Sequence, residues 1–89
     1  MEQLRIRIVG HVQGVFFRAF VRDSAIQLGL KGVVRNESVG SVEVVVQGEK
    51  DKLQRLVALC RGGPPLALVD KVEVSKEKVE KVFGNFKME

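Results

Sequence analysis

The chain predicts an α+β fold: a mostly antiparallel sheet of four or five strands with two helices packed on one face. Three observations predict it. Apolar residues alternate with polar ones in several short stretches, as in half-buried strands. Two further stretches carry apolar residues at helical spacing. The order of these stretches is β-α-β-β-α-β, followed by a short terminal extension. No repeat, linker or low-complexity tract interrupts it, so residues 1–89 are expected to form one domain.

The elements follow in order. Leu4, Ile6 and Ile8 alternate with Arg5 and Arg7 as a first strand, and Met1 to Arg5 runs into this pattern rather than into a signal-peptide core. His11 is expected to lie exposed at the strand's end. Phe17, Phe20, Val21, Ala25 and Leu28 then recur at helical spacing, and Gly29 stops that helix. Gly32 to Arg35 is a short β-like stretch, Ser38-Val39-Gly40 a turn, and Val42, Val44 and Val46 the apolar face of the return strand. Leu53, Leu56, Val57 and Cys60 form the buried stripe of a second helix. Glu49 and Asp51 sit near its positive end and Arg61 near its negative end. Gly62-Gly63-Pro64-Pro65 ends it. Val72 and Val74 alternate with Lys71 and Glu73 as a fourth strand. Lys76 to Lys81 is expected to be a solvated edge or loop, and Phe83, Phe86 and Met88 to belong to a short closing strand.

Composition narrows the classes of function. Hydrophobic residues make up 45% and charged residues 29%, which is globular rather than disordered. A single cysteine cannot form an internal disulfide, and Cys60 falls on a core stripe, which fits a reducing cytoplasm. No apolar run approaches the about 20 residues a membrane-spanning helix needs. One histidine and one cysteine cannot assemble a zinc site, and no Lys-Ser/Thr pair follows Gly14 to make a nucleotide-binding loop. No cofactor is expected. The net charge of +4 is uneven: residues 1–36 hold six Lys/Arg and two acids, whereas residues 37–89 hold nine of each sign. The excess lies in the part of the chain that carries the most informative segment, and it favours small anions there.

That segment is Val12-Gln13-Gly14-Val15-Phe16-Phe17-Arg18, between the first strand and the first helix. A loop that turns on glycine can aim several main-chain N–H groups inward as a nest for an anion. The following helix adds free N–H groups and its positive dipole end. Helical side chains lean toward the N-terminus, so Arg18 in the first turn can curl back over the loop and grip two phosphate oxygens. The segment reads as a phosphate cradle. Phe17 and Phe20 fit the helix core, leaving Phe16 at the border of a substrate.

Gly10-His11-Val12-Gln13-Gly14-Val15-Phe16-Phe17-Arg18 resembles the first signature of the acylphosphatase family, and the stretch from Gly32 to Glu43 is similar to the second. The resemblance extends through Gly63-Pro64-Pro65 to Phe86-Lys87-Met88. It implies a ferredoxin-like fold and metal-free hydrolysis of small acyl phosphates to a carboxylate and inorganic phosphate. It makes Arg18 the phosphate-binding arginine and Asn36 the residue orienting the attacking water. The N–H groups of Gln13, Gly14, Val15, Phe16, Phe17 and Arg18 would then form the phosphate-binding loop. Val39 departs from the acidic residue usual before the hairpin glycine, which puts the hairpin's hydrogen bonding in question. Glu37 is a second unusual choice; its carboxylate would repel phosphate and is expected to point to solvent.

The chemistry suits these residues. The leaving group of an acyl phosphate is a carboxylate, which departs unprotonated, so positioning and charge stabilisation carry the reaction and no general acid is needed. An uncharged carboxamide at Asn36 can both donate to and accept from water. The expected partner is a small acyl phosphate, with no nucleic acid and no membrane, the chain acting as a monomer. Rival readings of the same topology are an RNA-binding module, a small-ligand regulatory module and a carbamoyl-phosphate-handling domain. An RNA-binding sheet would want exposed aromatic residues on its central strands, and here those strands are valine-rich.

Overall fold

A computed structural model describes residues 1–89. The elements run β1 (Glu2–His11), α1 (Phe17–Gln27), β2 (Lys31–Asn36), β3 (Val42–Gly48), α2 (Lys50–Gly62), β4 (Leu68–Glu77) and β5 (Phe86–Met88). They form one five-stranded sheet in the order β4-β1-β3-β2-β5. All pairings are antiparallel except β2 with β5, which is parallel. This is the expected ferredoxin-like α+β arrangement.

The strand period sorts residues cleanly between the two faces. Leu4, Ile6 and Ile8 of β1 are buried beside Val42, Val44 and Val46 of β3, and the antiparallel register sets Ile6 against Val44 and Ile8 against Val42. Phe17, Val21 and Ala25 of α1 and Leu53, Leu56, Val57 and Cys60 of α2 close over this face as the core. Phe20 and Leu28, assigned to the same stripe from sequence, are only partly buried against it. Burial pushes the Cys60 thiol up to about 12, so it is a core atom rather than a nucleophile.

The opposite face is polar. Arg5 pairs with Glu43 and Glu77, and Arg35 also pairs with Glu43. Gln47, almost fully buried, donates to Gln3 and to the Lys81 carbonyl and accepts from the Phe83 N–H, tying the β4–β5 connection across the sheet.

The structure settles one boundary and moves another. Strand β4 continues through Lys76 and Glu77, so only the later part of the charged stretch is loop. Its side chains are polar because β4 is an edge strand, which charges protect from further pairing. The closing strand holds Phe86 to Met88 only; Phe83 lies in the connection, where Gln47 takes its N–H.

Candidate active site

The site begins where β1 leaves the sheet. Its pairing with β4 shifts register between Val9 and Gly10. A Cβ on Gly10 would sit 2.2 Å from the Leu68 carbonyl oxygen, so only glycine permits this approach. The chain then anchors itself with the buried side chains of Val12 and Val15. Gly14 and Phe16 both take left-handed conformations, with φ of 74° and 65°, while Val15 between them does not. Alternating conformations of this kind turn successive N–H groups toward one side, which is the geometry of an anion-binding nest.

Phe16 is the cap position of α1. No side chain caps the helix there, and no acid lies in the first turn. The early N–H groups are therefore left without side-chain partners. A non-glycine residue in the left-handed region costs about 1–2 kcal/mol. Phe16 is also 76% exposed, so core burial does not compensate for the strain. Strain of this sort concentrates at functional sites.

Gly14, Phe16, Phe17, Arg18 and Asn36 line a common cleft of about 250 Å³, together with Val12, Ala19 and Met88. Arg18 stands in the first turn of α1. Asn36 is the last residue of β2, and the period that buries Val34 places it on the helix-covered side of the sheet. Gln13 and Val15 do not line the cleft. Val15 is buried, and the Gln13 amide donates instead to the carbonyls of Glu37, at 2.8 Å, and Ser41, at 3.0 Å. A larger hollow of about 760 Å³ lies over the polar sheet face, where arginines and glutamates already neutralise one another; it includes no residue of the loop.

Arg18 is not simply curled over the loop. Its guanidinium donates to the main-chain oxygen of Glu89, just beyond β5. Met88 and Glu89 were not foreseen as neighbours of the site. The parallel pairing of Val34 with Met88 brings them there, and no local sequence signal announces such a pairing.

Glu37 departs from its expectation. Its carboxylate does turn away from the cleft, but it is not free in solvent: it accepts from Ser41 Oγ at 2.6 Å and Arg7 Nε at 3.1 Å. The Ser41 hydroxyl first, and then Arg7, holds the carboxyl below the usual carboxylate range. The doubt over Val39 also resolves. The turn is closed by Glu37 N–H to the Ser41 carbonyl at 2.8 Å and Gly40 N–H to the Glu37 carbonyl at 3.0 Å. Val39 is 72% exposed, and none of these bonds needs an acid there. His11 is exposed at the end of β1, as expected, and does not line the cleft.

The acylphosphatase family model matches residues 4–88. The chain belongs to the acylphosphatase family. An acylphosphatase of Thiobacillus denitrificans is 48% identical over 80 residues, covering 90% of each chain. One from Aeropyrum pernix is 46% identical over 89 residues, covering 99% of this chain and 88% of the relative. The crystal structure of acylphosphatase from Bacillus subtilis superposes with a TM-score of 0.95 at 34% identity, covering 99% of this chain and 98% of that one. The activity is therefore that of an acylphosphatase, a hydrolase of acid anhydrides whose substrates are small acyl phosphates.

Proposed function

We propose that Arg18 holds the phosphoryl oxygens, that Asn36 orients the attacking water, and that the N–H groups of Gln13 to Arg18 complete the phosphate cradle. The observation that carries this reading is the left-handed pair Gly14 and Phe16 at an uncapped helix start, in one cleft with Arg18 and Asn36. The oxygen of water attacks phosphorus as the bond from phosphorus to the carboxyl oxygen breaks. The carboxylate leaves with the bond's electron pair, and the water's proton passes to a phosphoryl oxygen. Arg18 and the cradle amides stabilise the charge of the moving group. Phe16, Phe17, Ala19 and Met88 give the cleft an apolar side suited to the acyl group.

The reaction runs without a metal in this proposal, because the guanidinium and the amides supply the positive field. The protein acts as a monomer, since every group named belongs to one chain, and in the cytoplasm, where a lone buried thiol stays reduced. Nucleic acid is not a partner in this reading: Arg5, Arg7 and Arg35 on the open sheet face are paired with glutamates, and none of the strands β1 to β4 carries a phenylalanine, tyrosine or tryptophan for stacking.

The test is phosphate release from benzoyl phosphate in excess chelator. Wild type should be unaffected by chelator. Arg18→Ala should lose about 10³-fold or more in kcat/KM together with affinity for inorganic phosphate. Asn36→Ala should lose about 10²-fold, mostly in kcat. Full activity in Arg18→Ala would remove the assignment.

A further inference from the structure

The cradle and Asn36 come from different parts of the chain, and the sheet does not join them. Strand β1 pairs with β3 only as far as Ile8 and Val42, so the loop from Val12 to Phe16 has left the ladder before it reaches the neck of the β2–β3 hairpin. The side chain of Gln13 spans that gap. Its amide nitrogen donates to the Glu37 carbonyl at 2.8 Å and to the Ser41 carbonyl at 3.0 Å. These two carbonyls face each other across the hairpin neck, where the Ser41 carbonyl also accepts from the Glu37 N–H at 2.8 Å. Asn36 is the residue immediately before that neck.

The neck is held from its other side as well. Ser41 Oγ and Arg7 Nε both donate to the Glu37 carboxylate, at 2.6 and 3.1 Å. Glu37 thus serves structure through both ends: its carbonyl receives the loop and its carboxylate is tied to β1. A side chain held at both N–H positions has little freedom, so the nest cannot shift relative to β2 without breaking two hydrogen bonds.

We infer that Gln13 is a positioning residue, whose side-chain amide fixes the distance between the phosphate cradle and the water held by Asn36. It touches neither phosphate nor water with that amide. Misplacement of a reacting pair by about 1 Å can cost about 10²-fold in rate, so a bridge of this kind acts on kcat rather than on phosphate affinity. The inference rests on the roles proposed for Arg18 and Asn36.

The experiment is a double-mutant cycle. Gln13→Met keeps the length of the side chain, removes both donors and leaves the main-chain N–H in the cradle; Gln13→Glu, which stays polar, is the second variant should the first fail to fold. Folding is checked by thermal melting. Each variant is expected to lower kcat on benzoyl phosphate about 10- to 100-fold. For Gln13→Met the affinity for inorganic phosphate should stay within about twofold of wild type. In the Asn36→Ala background the same substitutions should cost less than about threefold, because the group they position is gone. A folded variant with wild-type kcat overturns the inference. So does an equal loss with and without Asn36, or for Gln13→Met a loss of phosphate affinity that matches the loss of rate. Arg18→Ala measured alongside separates the two levels: if it too keeps full activity, the site assignment fails, and if it alone is inactive, only the role of Gln13 fails.

Discussion

Helix α2 begins without a side-chain cap and with Lys50 and Lys52 in its first turn, but acids lie beside them. Glu49 precedes it in an extended conformation, Asp51 sits in its first turn and Arg61 in its last. Helix α1, on the same face of the same sheet, begins over Phe16 in a left-handed conformation, with no acid in its first turn and Arg18 in that turn instead. Neither start has a side-chain cap; what sets α1 apart is its left-handed cap residue and the lack of any acid beside its cation. Both features favour an anion that is not part of the chain. Both helices bury an apolar stripe against the sheet, so the difference that bears on the cleft lies at their N-termini.

The largest effect on stability should come from the buried stripe of the purely structural helix. Leu56→Ala should cost about 2–5 kcal/mol in urea unfolding while leaving kcat of the folded fraction unchanged. A large change in kcat would mean that α2 shapes the site. Making α1 resemble α2 gives the next effect. Ala19→Glu places an acid in the first turn; it should stabilise the fold by about 0.3–1 kcal/mol and weaken inorganic phosphate binding about tenfold or more. Stabilisation without loss of binding would show that the positive end of α1 is not used. Removing the acid from α2 is the smaller converse. Asp51→Asn should cost about 0.3–1 kcal/mol, with phosphate affinity and rate unaltered.

Acid should distinguish the two helices least. Glu37, held first by Ser41 and then by Arg7, and Glu77, held first by Arg5 and then by Gln3, both lie below the ordinary carboxylate range in the folded protein. The unfolded chain therefore binds protons more readily at these groups. Their contribution is complete above the ordinary range and is lost as pH falls through the lowered folded values. Both carboxylates are partly exposed, so each accounts for no more than about 1 kcal/mol. Urea midpoints between about pH 6 and pH 3 should fall less steeply in Glu37→Gln and Glu77→Gln than in wild type. An unchanged slope would show that neither pair contributes.

Much of this was legible in the residues because it depends on local periods. The alternation of Leu4, Ile6 and Ile8 placed β1, and the stripe from Leu53 to Cys60 placed α2, since one strand or one helix buries its own face. Gly14 and Arg18 were legible for a similar reason: a loop conformation and a first-turn side chain are set within a few residues. The stretch from Lys76 to Lys81 could be read only as edge or loop, because charges on an edge strand look the same as charges on a loop. The partners of Gln13 and Glu37 were invisible, because hydrogen bonds between the loop and the hairpin leave no spacing pattern in the chain.

By itself, then, the sequence determined the order of elements, the core faces and the glycine-turned, arginine-bearing loop. Backbone preference and side-chain period act over short range, and they need no knowledge of what packs nearby. Only the tertiary structure decided that Asn36 shares a cleft with Arg18, that Gln13 bridges loop to hairpin, and that Glu89 meets the guanidinium. Those contacts depend on strand order and on the parallel docking of β5 against β2, which are fixed when the whole sheet closes.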